Sequence, residues 1–140
     1  MRIGAAGFTL AEGLVVLLMM ALLAAIAVPA YQAWLQRADR HGVVVLLQLN
    51  ASFLARHHSE KGDYRQSATE WPALPHVRYP ETGESRYTLA FGTTPRNTDP
   101  DSYVLRATAR DTAQGYVELL HTGILRHCLR ADGKLQCLPM

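Results

Sequence analysis

The chain has 140 residues, 49% of them hydrophobic, with a formal net charge of +2 and two cysteines. That is one domain's worth of sequence, without room for separate cofactor and substrate domains. The small net charge carries no nucleic-acid signature of its own, and two cysteines exclude both a disulfide-dense scaffold and a four-cysteine zinc site. The apolar residues are unevenly spread: no charged residue stands between Glu12 and Arg37. As a helix, Gly13 to Gln36 would be roughly 36 Å long, enough to cross a bilayer core of about 30 Å. Three readings of this stretch compete. It is a plain transmembrane anchor, or a secretory signal cleaved after Ala25-Ile26-Ala27, or an apolar helix retained behind a short leader. Glu12 weighs against the cleaved signal, because an acid beside a membrane segment is costly and points to a function with a partner.

Gly7-Phe8-Thr9-Leu10-Ala11-Glu12, followed by an apolar helix and then Ala27-Val28-Pro29-Ala30-Tyr31, resembles the class III signal of type IV pilins and pseudopilins. The resemblance implies that a prepilin peptidase cuts between Gly7 and Phe8 and that Phe8 becomes the N-methylated first residue. It also implies that Glu12 pairs with the α-amino group of Phe8 in a neighbouring subunit. Two opposite charges leave water together only when paired, so such a pair would fix the register between subunits. The implied organisation is a leader at 1–7, a transmembrane and assembly helix at 8–36, and a periplasmic globular domain at 37–140. The implied location is the bacterial inner membrane, single-pass, before delivery through an assembly platform into an extracellular pilus or a periplasmic pseudopilus. Ala11, Gly13 and Ala21 depart from common family residues. Pro29 cannot donate to the carbonyl of Ala25 and is expected to kink the helix.

The helical pattern continues past the anchor. Tyr31, Leu35, Ala38, Gly42, Val45, Leu49 and Phe53 recur at steps of three and four, an apolar stripe suited to packing on a sheet. Gly62 is a plausible stop, so Phe8 to Glu60 reads as one helix of about 80 Å. Residues 63–83 contain Pro72, Pro75 and Pro80 and read as a loop-rich connection, pinned by Trp71 and Tyr79. The period then switches to two. Tyr87-Leu89-Phe91, Tyr103-Leu105-Ala107, Tyr116 to His121 and Ile124 to Arg130 read as strands, with a loop from Gly92 to Asp101. The expected fold class is α+β: the type IV pilin fold, with a long N-terminal helix and a C-terminal antiparallel sheet.

Asp132-Gly133 is a type I′ turn signal. A two-residue loop there pairs Cys128 with Cys137 at a non-hydrogen-bonded position, where Cα atoms lie about 4.5 Å apart and a disulfide can form. The resemblance agrees, since C-terminal disulfide loops are common in type IV pilins.

Other candidate chemistry is thin. His57 and His58 point to different sides of a helix, and His121 and His127 lack a repeated ligand spacing, so no metal site is expected. Asp99, Asp101 and Asp111 do not make the dense oxygen cluster that calcium requires. No catalytic motif stands out, and no cofactor is implied. Arg106, Arg110, Arg126, Arg130 and Lys134 outnumber Asp111, Glu118 and Asp132 by two. Arg126, Arg130 and Lys134 are therefore candidate phosphate contacts, in keeping with minor pilins of competence systems that bind DNA. The expected function is that of a structural minor pilin assembled through its apolar helix with other pilin subunits. A pseudopilin of a type II secretion system, a DNA-binding minor pilin and an exported domain released after Ala27 are the alternatives.

Overall fold

The computed structural model describes residues 9–93, 101–131 and 133–140. Gly7, Phe8, Asp99 and Asp132 lie outside them. The chain divides into two compact units, Met1–Ala38 and Asp39–Met140. Helix α1 (Leu10–Lys61) contributes to both and does not end at Pro29, which lies inside it.

In the first unit the helix has almost no protein around it. Leu14, Leu17, Leu18, Met19, Met20, Leu22, Leu23 and Ile26 are all exposed. Among the described residues α1 is the one helix long and apolar enough to cross a membrane, with a mean hydropathy of 2.6 over its most apolar window. A helix apolar on all sides needs an apolar environment around it.

The second unit is a six-stranded antiparallel meander whose strands follow one another in chain order. They are β1 (Arg78–Tyr79), β2 (Tyr87–Phe91), β3 (Val104–Ala109), β4 (Tyr116–Leu120), β5 (Leu125–Ala131) and β6 (Lys134–Pro139). One face of the sheet meets the part of α1 that belongs to this unit. Val43, Leu46, Leu47 and Leu54 from the helix are buried with Tyr87, Leu89, Leu105, Ala107, Val117 and Leu119 from the strands. Full burial of a side chain such as Leu47 or Leu105 contributes about 1.5–3 kcal/mol relative to exposure.

The buried helix face differs from the expected stripe. Val45 and Leu49 are exposed, whereas Asp39 and Asn50 are buried. Residues 43–47 are uniformly apolar, so periodicity alone cannot choose between neighbouring faces. Gly42 and Phe53 of the expected stripe lie at the margin of the packed face, and two polar residues, Asp39 and Asn50, lie within it. Both have partners: Asp39 accepts an ion pair from Arg86 at 2.9 Å. Asn50 clamps the backbone of His76, its Nδ2 donating to the carbonyl at 2.7 Å and its Oδ1 accepting from the N–H at 3.1 Å.

That clamp helps to order the connection between α1 and β2. Trp71 stacks on Phe91 with ring centroids 4.5 Å apart, and Tyr64 packs edge-on against Tyr103 at 4.8 Å. Tyr79 lies over Gly42, where an added Cβ would come within 2.4 Å of the phenol ring. Strand β1 forms inside this connection, with Tyr79 paired to Tyr87. Two residues among prolines give no readable alternation, so this strand is a structural finding. A short 3-10 turn at Thr112–Gln114, capped by Asp111, leads into β4.

Candidate nucleic-acid interface

The meander's register decides which side chains share its outward face. Side chains alternate across a strand, so paired residues of neighbouring strands point the same way. Leu89, Ala107, Val117 and His127 form one inward row, and the next row outward is Ala90, Arg106, Glu118, Arg126 and Pro139. The adjoining outward row is Arg78, Thr88, Thr108, Tyr116, Cys128 and Cys137. Arg130, opposite Leu135, continues this face along β5. Among the described residues, Arg78, Arg106, Arg126 and Arg130 therefore share a face with one carboxylate, Glu118. From β1 to β5 that face spans about 19 Å at about 4.8 Å per strand.

Glu118 is only 6% exposed. It stands between two arginines on the flanking strands. Nε and Nη2 of Arg106 donate to its Oε1 at 3.0 and 2.8 Å. Arg126 Nη2 lies 3.9 Å from its other oxygen. The Arg106 guanidinium also sits over the Tyr116 ring, 4.3 Å from its centroid, a stacked cation–π arrangement. Arg78 and Arg130 are exposed, and among the described residues neither has an ion-pair partner. Thr88, Ala90 and Thr108 keep the middle of the face low.

The other cations of the sheet are differently placed. Arg110 pairs with Glu84, and Arg86 with Asp39. These four line a cavity of about 370 Å³ with Asp111 and Gln114, and their charges are spent on one another. Lys134 pairs with Ala131, so it falls on the opposite side of the sheet from Arg126 and Arg130. Of the three cations expected to act together, two share a face and the third does not. Arg78, which sequence reasoning missed, and Arg106, which it counted without assigning a contact, complete the set; their common side depends on the register of five strands.

The two cysteines are joined as a disulfide with Cα atoms 4.0 Å apart. It ties β6, exposed along its whole length, to β5. Beside it a cavity of about 260 Å³ is lined by Thr108, Gly115, Tyr116, Arg130 and Leu135, among others. Gly115, at φ +66°, is required there, since a Cβ would sit 2.0 Å from the Cys128 carbonyl oxygen.

At the other end of the chain Glu12 has a role that sequence reasoning missed. Thr9 N–H and Oγ1 donate to its Oε2 at 3.1 and 3.0 Å, and the Glu12 N–H donates to Thr9 Oγ1 at 3.3 Å. This is a reciprocal capping box that satisfies donors at the start of α1. The signal was legible as Thr-x-x-Glu before an apolar run.

The histidines are engaged singly. His57 Nε2 meets the Arg65 carbonyl, His127 Nε2 meets the Gln114 carbonyl, and His76 meets Glu81. Among the described residues no three His, Cys, Asp or Glu side chains are grouped to hold a metal ion. Burial and the neighbouring Tyr64 push the Tyr103 phenol up to about 12. Arg65, through side-chain and backbone hydrogen bonds, holds the Asp63 carboxyl below its ordinary value.

An apolar N-terminal helix followed by an antiparallel sheet that packs on helical residues defines a type IV pilin-like, membrane-anchored subunit. The family described as "Type IV minor pilin ComP, DNA uptake sequence receptor" matches residues 29–117, more than half of the chain. The protein belongs to that family, whose members are structural pilus components. The matched stretch includes Arg78, Arg106 and Tyr116, and ends just before Glu118. No curated protein matches the chain.

Proposed function

We propose that this protein is a DNA-binding minor pilin of a type IV pilus, holding duplex DNA on the outward face of its sheet during uptake. The observation that carries the reading is the gathering of Arg78, Arg106, Arg126 and Arg130 on one face where, among the described residues, Glu118 is the sole carboxylate. The family description supports the same assignment. Lys and Arg contacts to phosphate supply affinity without reading sequence.

The subunit reaches its working place in three steps. Prepilin peptidase removes the leader after Gly7, and Phe8 is methylated. The apolar helix holds the subunit in the inner membrane. The assembly platform then inserts that helix among those of other pilin subunits. Glu12 pairs there with the amino group of a neighbouring subunit, leaving or sharing its bond to Thr9. The exposed Val45 and Leu49 fit the same packing.

The test is a shift assay of the full chain in detergent with duplex DNA at increasing salt. Binding at low salt that weakens steeply as salt rises supports the reading. The double substitution Arg78→Gln with Arg130→Gln should weaken binding, while Lys134→Gln on the other side should not. Absence of binding at low salt, or equal loss with Lys134→Gln, contradicts it.

A further inference from the structure

The four arginines of the outward face are not equivalent. Arg106 is only 25% exposed, and two of its nitrogens are committed to Glu118. Its ring-like guanidinium plane is committed to Tyr116. Its charge is thus neutralised within the protein before any ligand arrives. Arg126 is held otherwise. Its Nε is buried without a hydrogen-bond partner among the described residues, its only ion contact among them is the long 3.9 Å approach to Glu118, and its side chain is 40% exposed. The stem is fixed, the charge is steered from one side, and the outer edge of the fork is unspent.

Resting on the DNA-binding reading, we infer that Arg126 is a phosphate-contacting cation, and that Glu118 and Arg106 are positioning residues that aim it. A guanidinium whose side chain is already ordered loses less entropy when it bonds a phosphate. Without the intervening carboxylate, Arg106 and Arg126 would face each other as like charges about 10 Å apart across β4. Glu118 converts that repulsion into a cross-strand ladder with one cation held by the carboxylate and the other more exposed.

The salt dependence of binding separates the two roles. A phosphate contact contributes about one to the slope of log K against log salt, whereas a residue neutralised internally contributes nothing. The full chain in detergent is titrated with a duplex of arbitrary sequence at several salt concentrations. Arg126→Gln should shrink the slope by about one. Removing the internal pair together, as Arg106→Met with Glu118→Met, leaves the net charge unchanged and no lone buried ion. It should weaken binding about tenfold at every salt concentration while keeping the slope. A slope that falls as it does for Arg126→Gln would overturn the division of roles, and so would unchanged affinity. Glu118→Gln is the second probe. Simple charge counting says that losing an anion tightens binding to DNA, whereas loss of positioning weakens it; tighter binding overturns the inference. A wild-type chain that binds no duplex at low salt removes the DNA reading itself, and this inference with it.

Discussion

Asn50→Leu offers a strict check on how the connection between α1 and β2 is held. Leucine matches asparagine in branching and heavy-atom count and suits a fully buried position, though its methyl groups are bulkier and any overpacking adds to the cost. What disappears is the clamp: one donor and one acceptor to the backbone of His76, at 2.7 and 3.1 Å. The His76 N–H and carbonyl lose their partners at a half-buried position. An unsatisfied buried polar group costs about 1–3 kcal/mol, and the site's partial access to water favours the lower half, giving about 2–4 kcal/mol in total. For a domain of about 100 residues each kcal/mol shifts Tm by roughly 4–8 °C, so the variant should melt roughly 8–32 °C lower. Circular dichroism melting of the full chain in detergent reads this directly. Limited proteolysis should cut first within residues 63–77. A variant that melts within about 3 °C of the parent would refute the clamp as a stability determinant.

Other perturbations test separate parts of the account. Gly42→Ala should destabilise the protein, because the new Cβ displaces the Tyr79 ring. In a Tyr79→Ala background it should instead stabilise by about 1 kcal/mol, the ordinary helix preference for alanine, and a thermal double-mutant cycle measures the difference. Reducing the Cys128–Cys137 bond should cost about 2.5–3 kcal/mol by loop entropy. Hydrogen exchange should then show β6 losing protection while β2 to β4 keep theirs. The raised Tyr103 pKa favours the neutral phenol in the folded state. Stability should be intact below pH 10, the ordinary tyrosine value, and should fall as pH rises from 10 towards 12. Tyr103→Phe should remove this part of the alkaline loss in pH-dependent melting.

Local signals in the sequence were the ones that could be read. The uncharged run from Gly13 to Gln36 declares an apolar helix whatever it packs against. Alternation fixes β2 and β3, where buried apolar residues alternate with more exposed ones. Asp132-Gly133 sets the pairing of Cys128 with Cys137 by counting outward from the turn, and the disulfide follows. The helix face was not legible, because five consecutive apolar residues at 43–47 suit more than one face. Only the partners of Asp39 and Asn50, supplied by distant segments, reveal which face is buried. The arginine face was legible in part. Arg126 and Arg130 share a strand and a parity, but Arg78 and Arg106 join them only through pairings that span fifty residues of chain. Lys134 was grouped with them by proximity in sequence, and hairpin parity separates it.

The proposed role requires an apolar helix that stays with the domain and carries it to the pilus. The intact mass and N-terminal sequence of the chain purified from membranes measure this most directly. A chain that begins at methylated Phe8 and retains the helix is the expected result. A chain that begins at Val28, with the helix gone, would contradict it.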